Sequence, residues 1–345
     1  MNITCPLPGI ESEVISLGHG SGGLLTHRLL ANGVFDLLKN EWLDRQHDGA
    51  FLQLDGPVAF STDSYVISPI FFPGGDIGDL AINGTVNDLA MCGARAKYLS
   101  LSFIIEEGLA MAEFRRVLAS IGAAAAKAGV HIVTGDTKVV EKGKGDKLFI
   151  NTSGIGYVYP GARIHHNRIE GSDMLVISGP IATHGIAIVS LREGLQFETT
   201  IRSDTRPLHD IVGSLVHAFG DGIKFLRDPT RGGVASVLNE VAEMTGMGFL
   251  LEEAAIPIAE EVEGACEMLG LDPLYVANEG IFLAVVKKDI APAFLCLLRE
   301  AGGGGDAAII GEVTKEFAGK VVLKGRAGGR RVVNYLTGEQ LPRIC

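Results

Sequence analysis

Short glycine clusters set between apolar segments constrain this chain more than any other feature. Of its 345 residues 46 are glycine, about twice the usual ~7% share. They gather as Gly18-His19-Gly20-Ser21-Gly22-Gly23, Gly74-Gly75, Gly232-Gly233 and the run at 302–305, without a collagen-like period. Loops of this kind let backbone N–H groups approach a ligand closely. The segments between them have globular composition, 47% hydrophobic and 21% charged, so a packed fold is expected rather than disorder. A chain this long accommodates two domains of ordinary size.

Runs of β-branched and aromatic residues predict strands over 50–54, 58–61, 96–105, 131–134 and 148–159. Helical spacing of apolar residues predicts helices over 24–38, 78–91 and 111–128, the last closed by Gly129 as C-cap. The polar, aperiodic stretch 161–171, with His165 and His166, reads as a linker. After it Met174-Leu175-Val176-Ile177 opens a second succession, with helices over 185–192, 210–219, 232–245, 260–269 and 291–301 and strands over 249–251 and 281–286. We read two α/β (α+β) domains, 1–165 and 166–324, followed by a mobile tail, 325–345. Twenty flexible links span roughly 25 Å on average and at most about 66 Å, which suits a tethered group at the terminal Cys345. A terminal cysteine is not a prenylation site, which needs the cysteine fourth from the end.

The formal net charge of −11 and pI of about 5.3 argue against a nucleic-acid or anionic-membrane surface. No stretch approaches the ~18 apolar residues of a membrane span, and Met1–Glu13 lacks the basic start and apolar core of a signal peptide. A cytoplasmic location is expected. The cysteines, Cys5, Cys92, Cys266, Cys296 and Cys345, are odd in number and none are paired at zinc-finger spacing, so neither a disulfide framework nor structural zinc is expected. Apolar neighbours mark Cys92, Cys266 and Cys296 as core thiols.

The acids carry more information. Strand-like segments run into Asp63 in Ser-Thr-Asp-Ser and Asp136 in Thr-Gly-Asp-Thr, and Asp88 lies within a helix-like segment. Carboxylates gathered at strand ends are what Mg²⁺ bridging nucleotide phosphates requires, although each alone reads equally as a turn residue. The loop at 18–23 formally matches the dinucleotide fingerprint GxGxxG, without a clear ribose-binding acid downstream, and reads equally as a flap over phosphates. The Walker pattern GxxxxGK[ST] is absent, so a nucleotide site here is not a P-loop. Asp228-Pro229-Thr230-Arg231-Gly232-Gly233 leads into a helix, where backbone donors face an anion or the Asp caps the helix. Lys138, two residues after Asp136, and Glu279, on an Asn-Glu-Gly turn, complete the candidates.

In order along the chain, GHGSGG, STDSYV, GDIGDLAINGTVNDLAMCGA, TGDTKVV, RDPTRGGVA, ANEG and a terminal PRIC resemble the HypE family, a branch of the AIR synthetase (PurM)-like ATP-binding superfamily. The resemblance covers essentially the whole chain, and Pro342-Arg343-Ile344-Cys345 is what singles out this branch. Thr-Gly-Asp-Thr is shared with thiamine-monophosphate kinase and selenophosphate synthetase. A selenophosphate synthetase would add a reactive Cys or selenocysteine with a Lys near the first glycine loop, which here holds only His19, Ser21 and glycines. One departure is Ile181-Ala182-Thr183 before His184, where the family has a more glycine-rich turn.

The resemblance implies a PurM-like fold whose N-terminal mixed sheet pairs into a barrel across a homodimer, with a C-terminal α/β domain. It implies carbamoyl dehydratase activity that uses ATP and Mg²⁺ to turn an S-carboxamide on Cys345 into an S-cyanate. The carbamoyltransferase HypF would load Cys345, and the cyano group would pass to iron on the HypC–HypD complex, supplying cyanide for the iron of the [NiFe]-hydrogenase active site. Gly20, Gly22, Gly23, Thr62, Asp63, Asp88, Asp136, Thr137 and Asp228 are the implied ATP contacts, with Asp63, Asp88 and Asp136 on Mg²⁺. Lys138 would orient the γ-phosphate or carbamoyl oxygen, and Glu279 would act as base or hold the amide. Competing readings are a dinucleotide-dependent oxidoreductase, a non-enzymatic carrier presenting its cysteine arm, and a small-molecule kinase of the same superfamily.

Overall fold

The computed structural model of the chain describes residues 13–45, 49–194, 201–301 and 305–336. The N-terminal unit runs α1 (Leu24–Leu29), β1 (Val58–Tyr65), the two-residue strands β2 (Phe71–Phe72) and β3 (Gly75–Asp76), α2 (Ile77–Met91), β4 (Ala94–Glu106), α3 (Met111–Ala128), β5 (His131–Val140) and β6 (Leu148–Val158). Four of these strands form a mixed sheet in the order β1-β6-β4-β5. Only β4 and β5 are parallel, joined by the crossover helix α3 as a parallel pair requires. Along β4 and β6, residues such as Leu99, Leu101, Phe103, Leu148 and Ile150 are buried while their neighbours are less so. One face therefore packs under α2 and α3, and the other carries Phe60 and Ile104 in solvent.

Helix α2 explains its own sequence. Every residue but Asp79 and Asp88 is buried, because the helix lies beneath the N-terminal sheet and also packs Ala90 and Met91 into the core of the second unit. Asp76 caps it, accepting N–H bonds from Gly78 at 2.8 Å and Asp79 at 3.2 Å.

The C-terminal unit runs β7 (Met174–Ile177), α4 (Thr183–Arg192), α5 (His209–Phe219), β8 (Ile223–Arg227), α6 (Gly233–Thr245), β9 (Gly248–Glu252), α7 (Glu260–Leu269), β10 (Leu283–Val286), α8 (Ala291–Glu300), β11 (Ala308–Thr314), β12 (Val321–Lys324) and β13 (Arg330–Val333). Among the described residues its strands form one sheet, β13-β12-β9-β11-β7-β10-β8. Helices α4, α6 and α7 cover one face and α5 and α8 the other. Burial from both sides makes β10 apolar at every position, Leu283-Ala284-Val285-Val286.

The helix over 111–128 and its Gly129 cap, at φ 65°, form as the spacing predicts. Elsewhere the structure corrects the sequence reading. Residues 50–54 form no strand: they are mostly exposed, and the Gln53 carbonyl accepts from Tyr157 Oη at 3.2 Å rather than from a strand's ladder. The helix expected at 24–38 runs without a break to residue 37 but widens into a π turn over Leu30–Phe35, where Asn32-Gly33 weakens α-helix preference. Asp63 and Asp136 lie inside β1 and β5 rather than at their ends. The tail does not begin at 325, since Arg330–Val333 returns as β13, antiparallel to β12, through a turn with Gly328 at φ 86°. Cys266 is buried, but Cys92 and Cys296 are exposed, on α2's end and on the outer side of α8. The departure at 181–183 has a backbone consequence: Ala182 takes φ 73°, a conformation that favours glycine, while its N–H donates to Asn278 Oδ1 at 2.7 Å.

Candidate active site

The glycine loop is a 3-10 turn, Leu17–Gly20, followed by an extended entry into α1. Ser21 Oγ donates to Gly18 O at 2.9 Å and Gly22 N–H to Thr26 Oγ1 at 3.0 Å. The loop rests on β5: a Cβ at Gly20 would sit 2.7 Å from Val139 N, so only glycine permits the approach. Between them lies a cavity of about 260 Å³, lined by Gly20, Gly22, Asp136, Thr137 and Lys138 on its polar side and by Leu43 and Phe103, among others, on its apolar side. A flat apolar base and a charged tail would each find a matching wall there. Asp136 accepts from Lys138 Nζ and from Thr137 N–H, both at 2.8 Å. The Lys138 bond is the first cause holding its carboxyl below the ordinary range. Gly23 is the exposed N-cap of α1, and Thr62 Oγ1 donates to Thr152 O at 3.0 Å.

A second group gathers on the α2 side of the sheet. Asp63 on β1, Asp88 on α2, Asp228 after β8 and Glu279 before β10 act on one another electrostatically. Burial lifts the Asp88 carboxyl to about 6, opposed by Ser61 Oγ, which donates to Oδ2 at 2.6 Å. Burial and then the charge of Asp88 lift Asp228 to about 7. Glu279, 4% exposed, is pushed well above the carboxylate range, first by burial and then by Asp204, Asp228, Asp63 and Asp88. Its Oε1 is buried without a hydrogen-bond partner. Asn278 ties two of these turns together, donating Nδ2 to Pro229 O at 2.8 Å and to Val276 O at 3.0 Å.

The two groups are separate within the chain. Strands β1 and β5 are the opposite edges of the sheet, about 14 Å apart at the usual strand spacing. Pairing with Ser102 and Ile104 puts Asp136 and Lys138 on the exposed face, whereas Asp63 pairs with the buried Thr152. Asp63, Asp88 and Asp136 therefore do not form one triad here, and among the described residues no three His, Cys, Asp or Glu stand together as a metal cage. Asp63 and Asp88 still fit Mg²⁺, which binds through one or two carboxylates and completes its shell with phosphate oxygens and water. The donor set is half-buried and acidic, and Arg227 is the cation acting on Asp88 and on the neighbouring Asp228. Cys345 lies outside the described residues. Sequence reasoning missed Ser61, which its place beside Asp63 would have revealed, and Asp204, for which no local signal exists.

The chain matches the models of the AIR synthase related protein N-terminal domain over 46–158 and C-terminal domain over 171–324. It is 50% identical over 337 residues to carbamoyl dehydratase HypE of Bradyrhizobium diazoefficiens, covering 97% of each chain. The chain belongs to the HypE family. A HypE crystal structure in complex with ATP superposes with a TM-score of 0.92 at 48% identity, covering 95% of this chain and 99% of that one. HypE from a HypE–HypF complex matches with a TM-score of 0.79 at 44% identity, covering 89% and 99%. This is the two-domain PurM-like fold, and residues 18–23 belong to a 3-10 turn and the entry to α1, ahead of every strand, rather than to the first strand-to-helix turn of a βαβ unit, which removes the basis for a Rossmann-type dinucleotide reading. Among the described residues no helix is long and apolar enough to cross a membrane.

Proposed function

We propose that the chain is an ATP-dependent carbamoyl dehydratase that converts an S-carboxamide on Cys345 into an S-cyanate, the source of cyanide for the iron of a [NiFe]-hydrogenase. The observation that carries this reading is the buried Glu279 carboxylate with an unpartnered oxygen among other acids, in a chain half identical to a named dehydratase. A thiocarbamate amide oxygen is a poor leaving group. Once it takes the γ-phosphoryl group of ATP, ADP departs and the amide nitrogen loses one proton. Glu279 then removes the remaining N–H proton as the C–O bond breaks, leaving phosphate and a carbon–nitrogen triple bond. The products are thiocyanate, ADP and phosphate, and the oxygen of the lost water ends on phosphate.

Glu279 is suited to the second step because burial raises its proton affinity toward the range of a working base. Lys138 orients the γ-phosphate or the carbamoyl oxygen, with Thr62, Gly20, Gly22, Gly23 and Thr137 as further nucleotide contacts and Asp228 facing the phosphates. Mg²⁺, held by Asp63 and Asp88 with Asp136 contributed across the dimer described next, would neutralise charge on the transferring phosphoryl group.

A homodimer joined through the N-terminal sheets fits this site. The exposed sheet face carries Phe60, 66% exposed, and Ile104, 45% exposed. Closing two such sheets into a barrel sets the edge strands, β1 with Asp63 and β5 with Asp136, against the partner copy. HypF loads the carbamoyl group on Cys345, as the HypE–HypF complex of a relative supports, and HypC–HypD receives the cyano group. Cys345 would have to reach the acid cluster for dehydration and HypF for loading. Replacing Cys345 with Ala should abolish cyanide formation and hydrogenase maturation while the purified protein still binds Mg–ATP. A Cys345→Ala protein that matures hydrogenase would overturn the proposal.

A further inference from the structure

Residues 201–208 cross the seam between the two units, and their side chains and backbone are tied down on every side. Ser203 N–H donates to Pro73 O at 2.8 Å, and Ser203 Oγ lies 2.7 Å from Nδ1 of the buried His184. Two asparagines of α2 hold the rest. Asn83 Nδ2 reaches Thr205 Oγ1 at 3.4 Å, while Asn87 donates to Arg206 O at 3.0 Å and accepts from Leu208 N–H at 2.8 Å.

What this scaffold presents is Asp204. Its carboxylate accepts the N–H of Glu279 at 3.2 and 3.3 Å and the N–H of Gly280 at 3.0 Å. The same peptides are gripped by their carbonyls: Arg206 Nε donates to Gly280 O at 2.8 Å and Asn87 Nδ2 to Glu279 O at 3.2 Å. A Cβ at Gly280 would fall 1.7 Å from Asp204 O, so the approach demands glycine. The backbone of Glu279 is thus fully committed while its carboxylate keeps one oxygen free of hydrogen bonds.

We infer that Asp204 is a positioning residue for the dehydration, clamping the 279–280 peptide so that the Glu279 carboxylate meets the substrate N–H. The inference rests on Glu279 being the base. Two N–H donors of successive residues converging on one carboxylate fix a direction as well as a place, because hydrogen bonds weaken steeply away from linearity. A base displaced by about 1 Å loses on the order of 10²-fold in rate. Asp204 is also the neighbouring charge acting most strongly on Glu279.

The test is Asp204→Asn in full-length protein loaded with carbamoyl at Cys345, alone and combined with Glu279→Gln, with water loss from the loaded cysteine followed under Mg–ATP. Asn keeps one acceptor but turns an NH₂ against the second N–H. The expected result is a kcat about 10–100-fold lower with KM for ATP within about twofold of wild type. Asp204→Asn should then cost nothing further in the Glu279→Gln background, as coupled residues do. Wild-type kcat in Asp204→Asn would overturn the inference, and so would an equal fold-loss in both backgrounds. Wild-type kcat in Glu279→Gln alone would instead remove Glu279 as the base. If Asp204→Asn does not fold, Asp204→Ser, which leaves a small acceptor without charge, is read by the same criteria.

Discussion

Protons bound to the acid cluster report what else binds there. Asp88 and Asp228 hold theirs up to about 6 and about 7, above the ordinary carboxylate value near 3.9. Near pH 6.5 both sites are partly protonated, and a cation arriving beside them favours the charged form and drives protons off. Binding of Mg–ATP should therefore release protons at pH 6.5, with the release fading by pH 9, where both groups are already ionised. Calorimetry in buffers of different ionisation enthalpy measures this directly; proton uptake at pH 6.5 would contradict it. Lys138 behaves differently, since its side chain is 64% exposed and its ion pair with Asp136 sits in water. Lys138→Ala should change stability by less than about 0.5 kcal/mol while lowering dehydration severalfold or more, as chemical denaturation and turnover would show together. At this scale the sequence offered Asp63 beside hydroxyls, Glu279 beside Gly280, Asp88 within a helix-like run and Asp228 before a Pro-Thr-Arg-Gly-Gly turn, and the fold brings these four acids together. It was silent on Asp204, whose partners lie 75 and 76 residues away. It also did not give the face of Asp136, because an irregularity at Leu99–Ser100 resets the pairing of β4 with β5.

Elements with a strong period were legible and those that depend on partners were not. Helices α2 and α3 follow from spacing alone, whereas residues 50–54 look like a strand and do not join the sheet. Strand β13 is the reverse case. Arg330-Arg331-Val332-Val333 shows little pattern, yet it finds β12 through a five-residue glycine-bearing turn, and its arginines suit an edge. Packing at the element scale gives two opposed glycine predictions. On α2 a Cβ at Gly84 would fall 2.2 Å from Tyr65 Oη, a fully buried ring. Gly84→Ala should cost about 1–3 kcal/mol. On α7 Gly264 is exposed with nothing within 4 Å of its Cβ position, so Gly264→Ala should add about 0.5–1 kcal/mol. Urea unfolding with an unchanged denaturant slope checks both signs.

At the scale of the molecule, α2 does two jobs that explain its near-total burial. It underlies the N-terminal sheet and reaches the second unit's core, so Asp88 at its far end stands beside Asp228 and Glu279 from the other half of the chain. Lys138 lies on the opposite, exposed face of the same sheet, and the glycine loop rests on its β5 edge. The most direct measurement is the intact mass of the C-terminal peptide after carbamoyl loading, with and without Mg–ATP. Loss of one water from the modified Cys345, only when ATP is present, is the predicted result. An unchanged peptide mass while ATP is consumed would contradict the account and identify the chain as a kinase of a free small molecule.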